Sequence, residues 1–127
     1  MSESSSEHHF ALAVTVAVEA LKALLLVNGG AATALIALSD KSMGHSKYGN
    51  AVLLFALAAL LNATTLVVGY FSQLAYANHR SSREQNDVGG ANVSFKWHRI
   101  SQTAAVGLVL ASLLASAVGM RCAFLAV

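Results

Sequence analysis

Glu19 is the only carboxylate in a stretch, residues 10–38, that is otherwise almost wholly apolar. An acid in such surroundings invites a role in proton or cation handling, because a charge is expensive to keep in hydrocarbon unless something neutralises or uses it. Lys22 follows one helical turn later, close enough to pair with it. The two therefore read first as an intramembrane ion pair that marks the inner boundary of a bilayer, and second as the proton site of a small transporter.

The other reactive side chains form no recognisable constellation. His8, His9, His79 and His98 are candidate ligands for a transition metal if they share one side of a membrane. Their spacing fits no ligand motif, and adjacent histidines near a terminus are ordinarily solvated, so no metal site is expected. Cys122 and the serines lack a base and an orienting partner at any legible spacing, so no catalytic residue is assigned and the chain is read as a non-enzyme. Asn28-Gly29-Gly30 lies inside an apolar helix rather than between a strand and a helix, which rules against a phosphate loop. Gly29 and Gly30 each weaken a helix by ~1 kcal/mol relative to alanine and let a neighbour approach, so a kink or a tight crossing is expected there. No cofactor is implied.

Composition dictates what must position these groups. Of 127 residues, 56% are hydrophobic and 11% charged, and the mean hydropathy is +0.60. Soluble domains carry roughly a quarter charged residues, so this chain has too little polar surface to coat a globule in water. Proline is absent and the apolar residues fall into three long blocks, which favours helices over a membrane barrel. The reading is all-α: an integral membrane protein with a single transmembrane domain over residues 1–127. It has three transmembrane helices in a small bundle, at about 8–38, 48–78 and 96–126, joined by loops at 39–47 and 79–95. Residues 48–78 and 100–120 carry no formal charge and are long enough to cross ~30 Å of hydrocarbon; residues 23–39 just suffice if Lys22 snorkels.

The remaining charges set orientation and exclude other partners. A net charge of +2, with basic residues at block ends, gives no nucleic-acid footprint. Arg80, Arg83, Lys96 and Arg99 flank the second loop while Lys41 and Lys47 flank the first, so the positive-inside rule puts the N-terminus and loop 79–95 in the cytoplasm and the C-terminus outside. Residues 1–9 have no lysine or arginine, so no signal peptide is read and the mature chain is expected to start near Met1. Ser4 and Glu7 have capping-box spacing. Lys96, Trp97, His98 and Arg99 read as an interfacial anchor. Each apolar stretch exceeds the hydrocarbon thickness, so the cytoplasmic ends are expected to continue as a short bundle at headgroup level.

Three seams call for helix partners. In the second helix Ala51, Ala58, Asn62, Thr65, Gly69, Ser72 and Tyr76 share one arc with four-three spacing. Asn62, mid-segment, needs a hydrogen bond across an interface or water. In the third, Thr103, Gly107, Ala111, Ala115, Gly119 and Ala123 recur every four residues, permitting close backbone approach, although a four-residue repeat drifts ~40° per step and one partner can follow only part of it. In the first, Thr15, Glu19, Lys22, Gly30 and Thr33 lie on one side and Asn28 on the other. More seams than three helices can satisfy implies a homo-oligomer.

Residues 24–38, LLLVNGGAATALIAL, resemble a recurrent pattern in small uncharacterised bacterial inner-membrane proteins. The resemblance covers about one helix; it implies a bacterial inner membrane and transfers no functional residue. Small multidrug-resistance transporters also carry a glutamate in their first helix, but neither a fourth span nor their other signature residues is visible. The leading functional expectation is a self-associating protein acting through helix contacts, as an interaction or accessory subunit of a larger membrane protein complex. The alternative is a homo-oligomeric pore or channel, holin-like or a toxic membrane effector, with Asn62, Thr65 and Ser72 towards the lumen.

Overall fold

A computed structural model of the protein describes residues 3–41, 48–85 and 87–126. These form three long helices, α1 (Glu3–Lys41), α2 (Gly49–Glu84) and α3 (Val88–Leu125). At ~1.5 Å per residue each is more than 50 Å long, well beyond the ~30 Å of a hydrocarbon layer, and each is apolar enough to cross a membrane. The Ser4–Glu7 capping box and most of loop 39–47 lie outside the described side chains and residues.

Which side chains are buried follows from the solvent being lipid. Large apolar groups such as Leu26, Leu53, Leu60, Leu114 and Phe124 point outward, while the apolar core consists of Ala32, Ala51, Phe55 and Ala58. Acyl chains solvate leucine as well as another helix does, so association there rests on close packing and hydrogen bonds, which small residues allow. α2 is the centre: α3 packs along most of its length and α1 more sparsely. Ala51, Phe55, Ala58, Asn62, Thr65 and Ser72, at four-three spacing, are the buried residues of α2. Gly119 on α3 meets them closely, since a Cβ there would lie 3.2 Å from Leu54 Cβ and 3.4 Å from the Phe55 ring.

The α2–α3 connection is much shorter than loop 79–95. α2 continues to Glu84 and α3 already begins at Val88. Arginine, glutamate and glutamine are good helix formers, and a helix bonded internally can run on into water, so the charges that read as a loop instead decorate helical ends. The chain reverses at Gln85–Asp87, where Gln85 N–H donates to Ser81 O (3.1 Å) and Asp87 N–H to Ser82 O (2.9 Å). Asp87 then caps α3, its carboxylate accepting from Gly90 N–H at 3.0 Å. Gly90 is required by this cap rather than breaking the helix: a Cβ there would collide with the Asp87 carboxylate and come within 3.2 Å of Ser82 Oγ.

Asp87→Ala is expected to cost about 1 kcal/mol, read as faster hydrogen exchange at the Gly90 amide with the middle of the hairpin unchanged. Gly90→Ala should cost more in the native background than in the Asp87→Ala background, because the carboxylate it strikes is then gone.

Candidate functional site

A line of buried polar groups runs inside the bundle. Ser112 Oγ on α3 donates to the Ala58 carbonyl of α2 at 3.0 Å. Ser116 Oγ lies 2.9 Å from both Asn28 Oδ1 on α1 and the Ser112 carbonyl, so its one proton serves either. Thr65 Oγ1 donates to its own helix at Leu61 O, 2.8 Å away. Asn62 is wholly buried. Among the described residues neither its amide nitrogen nor its oxygen has a partner, and Asn28 Nδ2 has none. The second-helix seam thus lies within one protomer, between its own helices.

Towards the α2–α3 turn the line ends in a clamp. His98 on α3, 8% exposed, places Nδ1 2.9 Å from Ser72 Oγ and 3.0 Å from Ser72 O, and Ser72 Oγ is 3.4 Å from the His98 carbonyl. Two arrangements satisfy this geometry. With the proton on Nδ1, the ring donates to Ser72 O and the hydroxyl to His98 O; with it on Nε2, the hydroxyl donates to Nδ1. Three further rings gather at the clamp: Tyr76 lies 5.2 Å from the His98 ring by centroid and Phe95 6.4 Å, with His79 5.2 Å beyond Phe95. The reading of His98 as part of an exposed anchor is corrected: Lys96, Trp97 and Arg99 are exposed, but His98 turns inward to Ser72. No group of three or more metal-ligating side chains occurs among the described residues.

The glycine expectations divide. α1 is continuous through Gly29 and Gly30, and nothing lies within 4 Å of a Cβ at either. The tight crossing expected there is absent because the contact is made by the adjacent Asn28, which points to Ser116. Gly69 is half-buried on the α2 seam, also without a close neighbour. On α3, Gly107 and Ala111 face outward, Ala115 is half-buried and Gly119 buried. A spacing of four precesses around the helix, so α2 follows only the second half of that stripe.

A second polar set lies on the opposite side of α1. Lys22 Nζ sits 2.8 Å from Glu19 Oε1, with the side chains 55% and 64% exposed. The pair formed is the one expected. Ala58–Ser112 and Ser72–His98 are separated by fourteen residues on both helices, so residues 50–70 of α2 lie beside 100–120 of α3, and their uncharged runs coincide. Asn28 beside Ser116 fixes α1 in the same frame, placing Glu19 and Lys22 level with Gly107 and Leu110. Counted along the helix axis, that is about 10 to 15 Å inside the uncharged run from its Ile100 end.

Comparison with protein-family models, curated proteins and solved structures gives no match to this chain.

Asn62→Leu is expected to raise resistance to unfolding in micelles by about 1–3 kcal/mol, the desolvation penalty of an unpaired amide; a loss of stability would mean that the amide is bonded in the membrane. Ser72→Ala, by contrast, is expected to lower it by about 0.5–1.5 kcal/mol through the lost clamp.

Proposed function

We propose that the protein is a non-enzymatic, self-associating membrane protein that acts through helix–helix contacts, as an interaction or accessory subunit of a membrane complex. One observation carries this reading: the Glu19–Lys22 ion pair is exposed on α1 at the level of the middle of the uncharged runs of α2 and α3. Facing acyl chains, charges at that depth cost on the order of several kcal/mol. Protein laid over that face would remove much of the cost, so association has a driving force even where apolar burial supplies none.

The setting proposed is a bacterial inner membrane, on the pattern of residues 24–38. Arg80, Arg83, Lys96 and Arg99 gather towards the α2–α3 turn, against Lys41 and Arg121 at the opposite helix ends, which supports a cytoplasmic turn and N-terminus and an external C-terminus.

The test is energy transfer between donor- and acceptor-labelled protein, reconstituted alone in vesicles. Transfer is expected to persist above the random-encounter level as lipid is added, and Asn62→Leu, inside the protomer, should leave it unchanged. Transfer that falls with dilution as for random mixing would end this reading. Ion flux abolished by Asn62→Leu would support a pore instead.

A further inference from the structure

Resting on self-association as the function, we infer that the covering element is the same face of α1 from a second copy, related by a two-fold axis along the membrane normal, with each Glu19 exchanging its bond to Lys22 of the other copy.

The face repeats with a defined period. Thr15, Glu19, Lys22, Leu26, Gly30 and Thr33 are all exposed, at spacings of four, three, four, four and three. From Thr15 to Leu26 is eleven residues, and the same steps begin again at Leu26. Eleven residues is 3.67 per turn, close to the 3.6 of a straight helix, so the stripe drifts by only ~20° per repeat and stays on one side. Two such helices can lie side by side over the length of the stripe with little coiling. Leu26, 75% exposed, is its protruding knob, and nothing lies within 4 Å of a Cβ at Gly30, one turn away. Thr15 and Thr33 bond to their own helix, at Ala11 O (3.0 Å) and Gly29 O (2.9 Å). The charged pair is thus what the face offers to a partner.

Charge complementarity selects the occupant. Copies inserted in one orientation have parallel first helices, so Glu19 stands level with its counterpart and Lys22 ~4.5 Å along the axis. Each carboxylate then has the ammonium of the other copy on its diagonal. A two-fold contact must be self-complementary, residue i meeting j and j meeting i. An acid and a base one turn apart on the same stripe meet that condition with no net charge at the interface. An unrelated helix would need a matched pair at the matching depth.

The decisive experiment mixes two charge-reversed chains. In vesicles, Lys22→Glu alone and Glu19→Lys alone each place like charges across the two-fold contact, and each is expected to associate at least about tenfold more weakly than the native protein. Mixed in equal amounts they should recover native association to within about threefold, because every carboxylate again faces an ammonium. Neither chain can form the internal pair, so recovery cannot come from within a protomer. Should either chain fail to insert, Leu26→Cys in a Cys122→Ser background gives an independent readout: oxidation is expected to yield a cross-linked dimer, while Leu114→Cys on exposed α3 yields none. A native protein that stays monomeric overturns the reading beneath this one. Native association without recovery in the mixture, or cross-linking at Leu114 but not Leu26, overturns this inference alone. Ion flux lost in a Glu19→Gln, Lys22→Gln chain also overturns it, in favour of a watery lumen.

Discussion

In hydrocarbon a polar group has no water to fall back on, and an apolar side chain gains little by leaving lipid for protein. That constraint inverts the usual design of a small domain. The backbone must be paired within each helix, which accounts for three helices that run unbroken for 36 to 39 residues. Leucines can face outward without penalty, as most large apolar side chains here do. What remains to hold the helices together is the close approach allowed by Ala51, Ala58 and Gly119, and a handful of hydrogen bonds from serine, asparagine and histidine.

Those hydrogen bonds also fix register, and register decides the depth of everything else. Ser112 with Ala58 and Ser72 with His98 pin α2 to α3 at two points ~21 Å apart along the axis, so the hairpin can neither slide nor turn without breaking one of them. Asn28 with Ser116 aligns α1 to this frame. Had α1 been set by its own charges, Glu19 and Lys22 would lie at a boundary with residues 23–39 across the bilayer. The asparagine contact instead carries them towards the middle of the uncharged runs. A structural bond on one face of α1 thereby sets the level of an exposed ion pair on the other.

Much of this was legible in the residues, and the misreadings have physical causes. The three helices follow from uncharged runs of sufficient length, and the α2 seam from its four-three spacing, because burial against a neighbour needs side chains on one arc. The two faces of α1 were visible in the same way, Asn28 on one and Glu19 with Lys22 on the other. The charges of residues 79–95 read as a loop in sequence yet lie mostly on helical ends, because beyond the bilayer a charged helix is as satisfied as a charged turn. Gly89-Gly90 lies in the first turn of α3, where Asp87 three residues before Gly90 makes that glycine the floor of a cap. His98 was hidden among exposed neighbours. A signal existed: His98, Ser112 and Gly119 fall on one three-four seam of α3, opposite the rungs Ser72, Ala58 and Phe55 of α2.

The buried polar groups differ in what they do for the fold, and the difference separates structure from function. Ser112, Ser72 and His98 each give a bond between α2 and α3, so their removal should loosen the hairpin. Asn62 contributes none, yet it is fully buried. α3 packs along most of α2, whereas α1 packs against it more sparsely. The hairpin is therefore the rigid part, and α1 is the helix with the weaker tie to it. That same helix carries the only exposed ion pair among the described residues. Sparser packing on the inner face and an exposed ion pair on the outer face are what support the proposed contacts of α1 beyond its own protomer, whereas α2, enclosed along its seam, has its polar groups turned inward.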